Sequence, residues 1–272
     1  MSVRTTFRDL LAHWPLADGL FRRLVWSRVY FPEVEMRFLN SLATHSIDIA
    51  IDVGAAMGSY SWILNRKSRQ VIAFEPGELH ARNLQQTVFG TRISVVKAAV
   101  GAECGTVAMY TPGADTNALH SATLSLGNPV TAVPGTQVRE VEQVTLDEFL
   151  GPKIGPGHTV DVLKVDVEGY ELEVFKGASL LLERHHPLIF CEIEQRHNAG
   201  YAAVFRLLRA AGYSSYVFQE GSFRLFAGEA IDNLQSAHAL QSRLDRSYDP
   251  ARNLYVNNFV FQHPQSRIKV AK

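Results

Sequence analysis

The sequence predicts an α/β protein built on a mostly parallel sheet with helices on both faces, and three observations carry that reading. Short runs rich in Ile, Val and Phe alternate with segments of helical period. Four of the runs end on carboxylates: Asp52, Glu75, the pair Asp166 and Glu168, and the pair Glu192 and Glu194. The first run is followed at once by two glycines, Gly54 and Gly58, and by the start of a helix at Ser59. Strand, acid, glycine turn and helix form a ligand cradle at the carboxyl edge of a sheet.

The composition sets the frame. With 272 residues, 46% of them hydrophobic and 20% charged, the chain has the size and make-up of one large α/β domain with a short addition. Its formal net charge of zero gives no global attraction to nucleic acid or anionic membranes. Cys104 and Cys191 stand in unrelated contexts, which suits reduced thiols in a cytoplasmic protein better than a disulfide framework or a zinc site. The start carries Arg4, Arg8 and Asp9 among its apolar residues, so neither a signal peptide nor a membrane span is expected there.

Residues 1 to about 45 precede the strand–helix alternation. Phe7, Leu10, Leu11 and Trp14 repeat at helical spacing, and a helical cap on the sheet domain is the favoured reading. Arg22, Arg23 and Arg28 beside Trp26, Tyr30 and Phe31 support a second one, weak contact with a membrane surface. The expected division is a cap over 1–45 and a ligand-binding domain over 46–272.

Ile47–Val53 suits a fully buried parallel strand, since five of its seven residues are apolar and only Asp48 and Asp52 are charged. The turn after it discriminates between ligands. A dinucleotide fingerprint needs a second glycine where Ala56 stands, and a phosphate loop needs a Lys that does not come until Lys67. Asp52 would repel a pyrophosphate but suits a ligand with an ammonium or sulfonium group. The pattern D-x-G-x-x-x-G therefore points to S-adenosylmethionine, with Asp52, Gly54, Ala55, Gly58 and Tyr60 as contacts. Val71–Phe74 forms the second strand, closed by Glu75 and Pro76. Glu75 lies about 20 residues beyond the first acid, the place from which a carboxylate accepts the hydroxyls of a ribose. A helix follows near 78–89. Ile93–Val100 reads as the third strand, whose small residues around Ala98 leave room for an adenine.

Residues 101–158 are rich in Gly, Pro, Ser and Thr, with β-like pieces at Thr106–Tyr110 and Val138–Val144. The stretch Gly113–Gly135 is too long for a simple connection and offers Asn117, His120 and Ser121 as substrate contacts. Thr145 followed by Glu148 marks a capped short helix. The stretch Val160–Glu171 holds the fourth strand, which ends by placing Asp166 and Glu168 at the same sheet edge as Asp52 and Glu75. Alternation puts Lys164, Asp166 and Glu168 on one side while the strand persists, and an ion pair with Lys164 accounts for one of the two acids. His186–Glu194 is the fifth, again ending in carboxylates, followed by a helix that Asn198 can cap, with Val204, Leu207, Leu208 and Ala211 as its buried stripe before Gly212 stops it. Tyr213–Phe218 and Tyr255–Phe261 supply two final strands, and Phe223–Asn253 between them holds no recognisable motif.

In order, Asp52-Val53-Gly54-Ala55 with Gly58, Phe74-Glu75-Pro76, Ala99-Val100, Thr145-Leu146-Asp147, Lys164 to Gly169, Glu171, Gly177 and Glu192-Ile193 resemble the FkbM family of S-adenosylmethionine-dependent methyltransferases. The resemblance runs from about Ile49 to Phe218. It departs where the family usually has Asn, at Ala56 and near Thr87, which removes one polar contact of the cradle. It implies a class I methyltransferase fold of seven strands, one late strand antiparallel. It also implies methylation of a hydroxyl on a small molecule or glycan, often a sugar of a polysaccharide, glycolipid or secondary metabolite.

On that reading Asp166 borders the methyl donor, and Glu194 or Glu192 takes the hydroxyl proton, with Glu168 and His197 as further candidates. Alternatively Asp166, Glu192 and Glu194 hold a magnesium ion that acidifies the hydroxyl. Two other functions remain open at this point: a non-catalytic partner-binding member of the fold, and an NAD-dependent sugar oxidoreductase.

Overall fold

The computed structural model describes residues 34–111, 123–124, 136–195, 200–219, 221–228, 231–236 and 255–270. Helix α1 (Val34–Ser41) leads into strand β1 (Ile47–Val53), α2 (Ser59–Lys67), β2 (Ser68–Phe74), α3 (Glu78–Thr87) and β3 (Ile93–Val96). Strands β4 (Ala99–Val100), β5 (Gly105–Thr111), β6 (Thr123–Leu124) and β7 (Gln137–Val144) follow, then α4 (Leu146–Leu150) and β8 (Val160–Val165). The rest comprises α5 (Glu171–Lys176), α6 (Ser179–His185), β9 (Leu188–Glu192), α7 (Ala202–Ala210), β10 (Ser214–Gln219), β11 (Ser222–Leu225) and β12 (Asn258–Gln262).

The main sheet has eight strands in the order β11-β10-β12-β9-β8-β1-β2-β3. Strands β3, β2, β1, β8 and β9 pair in parallel. Strand β12 runs antiparallel to both β9 and β10, so β10 points with the parallel set. The expected seven strands with one late antiparallel member are therefore present, and the count is corrected by β11, a hairpin partner of β10 in the stretch that showed no motif. Its four residues are exposed at three positions, which hides the alternation that marks a half-buried strand.

The third strand is a second correction. Pairing with β2 stops at Val96, and Ala99–Val100 instead joins β7 in a separate sheet of order β4-β7-β5-β6. That small sheet contains both β-like pieces expected from the sequence and covers one face of the main sheet through Val107 and Met109.

Alternation along the strands builds two cores. Ile51, Val53, Ile72, Phe74, Leu163, Val165, Ile189 and Cys191 face α5, α6, α7 and the small sheet. Ile47, Ala50, Val71, Ala73, Val162 and Phe190 face α1, α2 and α3, meeting Met36, Leu39, Tyr60, Ile63 and Leu84. Helix α1, the described part of the leading segment, also sets Phe38 against Phe190 and Phe223. Residues 1–33 lie outside the described residues. Among the described residues no helix is long and apolar enough to cross a membrane.

The capping reading at Thr145 holds, with one addition. Thr145 Oγ1 accepts the Glu148 N–H at 3.0 Å, as a helix cap should. Cys104 occupies the reciprocal half: its thiol donates to Glu148 Oε2, and its sulfur accepts the Thr145 N–H. At α7 the structure places Tyr201 at the cap position, without a side-chain bond, while Asn198 lies outside the described residues.

Candidate active site

The carboxyl ends of β1, β2, β8 and β9 adjoin one another, and the four acidic strand ends come to one edge of the sheet. Asp52 shows how the strands fix the side chains. Its neighbours Ile51 and Val53 face the α5–α7 side, so Asp52 points toward α2 and is 1% exposed. There its Oδ2 accepts the Ser61 hydroxyl at 2.5 Å. Burial pushes its carboxyl up to about 6, against the opposing effects of the Ser61 hydrogen bond and the Lys164 charge. Lys164, directly across from Asp52 on β8, faces the same way and is likewise 1% exposed. Its Nζ lies 3.4 Å from Asp166 Oδ2 and 4.7 Å above the ring of Tyr60. A buried cation thus pairs with Asp166 and offsets the charge of Asp52, two carboxylates that repel each other. The sequence reading named Lys164 only as an ion-pair partner; the pairing with Asp166 is found, and the ammonium also lies over the Tyr60 ring.

Gly54 has a role the spacing alone did not show. Its φ is +79°, and a Cβ there would lie 1.8 Å from the Asp166 carbonyl oxygen. The glycine is therefore required for the chain to leave β1 while staying in close contact with the end of β8, whatever ligand approaches the turn. Gly58, φ 86°, caps α2, and Ala55 and Tyr60 are buried beside it. Ala56 adopts φ 46°, a left-handed conformation uncommon for alanine.

Glu75 is 5% exposed at the end of β2. One carboxylate oxygen accepts the Ala56 N–H at 2.8 Å and the other the Gly77 N–H at 2.8 Å. The acid fastens the glycine turn to its own strand and is held in a fixed plane. Burial pushes its carboxyl up, and the two backbone donors oppose that shift. Each oxygen has more than one acceptor position, so two further hydroxyl donors can be accommodated. This chemistry fits a ribose. Pro76 follows it, half-buried, and Ala98 is buried just past the end of β3.

Beyond β8 the backbone turns sharply, with Glu168 at φ 50° and Gly169 at φ 101°. The strand ends at Val165, so the alternation that was to group Lys164, Asp166 and Glu168 while the strand persists stops before Asp166. The buried Glu171 steadies the turn by accepting the Gly169 N–H at 2.7 Å. At β9, Glu192 and Glu194 are brought together by a residue the sequence reading passed over. Asn257 Nδ2 donates to Glu192 Oε1 at 2.5 Å and to Glu194 Oε1 at 3.0 Å. Only the side of the sheet that β12 occupies reveals this, because Asn257 is 63 residues from Glu194 in sequence.

His120, Ser121 and His197, with Asn117, lie outside the described residues. Among the described residues no group of three His, Cys, Asp or Glu side chains converges as a metal would require. Asp166, Glu192 and Glu194 are all described, so the magnesium alternative loses its ligand set. Asp147 is structural: its carboxylate accepts the Leu180 and Leu181 N–H groups, capping α6.

Residues 52–215 match the model of the methyltransferase FkbM domain. No curated protein matches the chain. Among solved structures, a methyltransferase FkbM from Methylobacillus flagellatus is 16% identical with a TM-score of 0.47, over 82% of this chain and 47% of that one. The chain thus spans about half the length of that protein. An O-methyltransferase from Bacillus cereus, solved in complex with SAH, is 11% identical with a TM-score of 0.46, over 91% and 89% of the two chains.

Proposed function

The chain belongs to the FkbM methyltransferase family, and on that premise we propose that it uses S-adenosylmethionine to methylate a hydroxyl group, on a sugar-containing acceptor. The observation that carries the cofactor reading is Glu75, a buried carboxylate held flat by two backbone N–H groups at the end of the second strand. That geometry suits two adjacent hydroxyls and favours a nucleoside over a phosphate, which a carboxylate repels.

When bound, the cofactor would supply an activated methyl group. The protein's part is then to place the acceptor and take its proton. Gly54 and Gly58 shape the turn that Glu75 anchors, and Ala55, Tyr60, Pro76 and Ala98 line the same edge. Lys164 holds Asp166 in one orientation and offsets the charge of Asp52. Glu194 and Glu192, oriented by Asn257, are the groups we assign to receive the hydroxyl proton. Positioning is the main lever, since a well-oriented pair of reactants gains about 7–11 kcal/mol over free encounter.

Calorimetric titration with S-adenosylmethionine, and separately with NAD, tests the reading. Wild type is expected to bind the former and not the latter. Glu75→Gln should weaken binding tenfold or more, because hydrogen bonds to a charged acceptor contribute about 1.5–3 kcal/mol each. A wild-type protein that binds no S-adenosylmethionine would overturn the proposal and favour a partner-binding role for the fold.

A further inference from the structure

The opposite, amino edge of the sheet carries a second constellation that the methyltransferase reading does not use. A cleft of about 240 Å³ opens there, lined by His45, Ser46, Asp48, Arg69, His158 and Arg267 with Gly157. Topology explains the gathering. Ser46 precedes β1, Arg69 begins β2 and His158 precedes β8, all entering the parallel strands from the same edge. Strand β12 runs the other way, so its exit delivers Arg267 to that edge as well.

The two carboxylates near the cleft are already engaged. Asp161 accepts the Asp48 N–H at 2.7 Å and Arg267 Nη1 at 2.9 and 3.0 Å. Asp48 Oδ2 accepts the Thr159 N–H at 2.9 Å and lies 3.1 Å from His158 Nδ1. They act as buttresses that set the cationic groups in place. Arg267 uses only Nη1 in this way, so its remaining guanidinium donors have no partner among the described residues. Arg69 has no hydrogen-bonded or ion-paired partner among the described residues. Arg92 stands behind, its Nη1 3.2 Å from His45 Nδ1.

We propose that this cleft binds a phosphate-type oxyanion, with Arg69 and Arg267 as its charged donors. Guanidinium groups match the planar pairs of oxygens on a phosphate, and their charge is permanent. The cleft is large enough for the anion alone or for the end of a phosphomonoester. It lies across the sheet from Asp52 and Glu75, so its test is separate from that of the cofactor site.

The probes are inorganic phosphate, a hexose phosphate and, as the planar single-charge control, acetate, each followed by ³¹P or ¹H NMR titration of the folded full chain. Phosphate should bind with a saturable, salt-sensitive response and acetate should not. Tighter binding of the hexose phosphate than of phosphate identifies an organic phosphate as the occupant, and equal binding identifies the free ion. Arg69→Gln, on an exposed strand start, should weaken the response by tenfold or more. Far-UV circular dichroism checks that the variant folds, and amide shifts at residues 45–48 and 157–159 in wild type locate the site without any variant. Absence of binding by wild type, binding unaffected by Arg69→Gln, or amide shifts confined to other segments would each overturn the assignment.

Discussion

Replacing Asp52 by Asn isolates the cost of burying a charge beneath the glycine turn. The carboxyl is raised from 3.8 to about 6, chiefly by burial. Because the folded state binds this proton more tightly than the unfolded chain, Asp52's contribution to stability is fully present below pH 3.8. It falls as pH rises through about 6 and is gone above it. A rise from 3.8 to about 6 corresponds to about 3 kcal/mol, an upper figure for what ionisation removes. Asn is neutral at every pH, and its side-chain oxygen can still accept the Ser61 hydroxyl. Urea unfolding of both proteins from pH 4 to pH 8 reads the difference directly. The Asn variant should gain on wild type as pH rises, from near parity at pH 4 to an advantage of up to about 3 kcal/mol above pH 7. A difference that stays flat across that range would refute the reasoning, showing that Lys164 cancels the burial penalty in full.

Other perturbations follow from the same edge. Gly54→Ala should cost more than about 4 kcal/mol, since the added Cβ meets a backbone carbonyl that cannot move without parting β1 from β8; a melt within about 1 kcal/mol of wild type would contradict this. Ala56→Gly should raise stability by roughly 0.5–1 kcal/mol in the same urea assay, because the left-handed φ penalises a Cβ. Asn257→Asp should destabilise more than Asn257→Leu at pH 7.5, as it sets a third carboxylate against Glu192 and Glu194 where an amide now donates to both. Denaturant midpoints of the two variants supply the ranking, and the reverse order would count against the shared-donor geometry.

Much of this edge is legible in the sequence because a buried parallel strand must be apolar until it reaches its end. A carboxylate there stands out, as Asp52 and Glu75 do, and the spacing between them reports one strand–helix unit. The signals fail where the decisive partner is distant. Nothing in Glu192-Ile193-Glu194 announces Asn257, and nothing in Ile51-Asp52-Val53 announces that a Cβ on Gly54 would strike Asp166. The apolar run Ile93–Val100 misleads for a different reason: Lys97 and Ala98 interrupt it, and its two ends pair in different sheets. Alternation does not reach Glu168 because the strand stops at Val165 and the backbone is already left-handed at Glu168 and Gly169, which period-two reasoning cannot foresee.

The place of β12 bears on how the chain reaches this state. Residues 258–262 insert between β9 and β10, two strands synthesised well before them. Until they emerge, Leu188–Glu192 and Ser214–Gln219 each present a row of unpaired backbone groups, flanked by Phe190 and Phe218. Such open edges are templates for pairing with another chain. A nascent protein of this topology holds its interior slot open through the making of about forty residues, and its most exposed moment comes just before the sheet is closed.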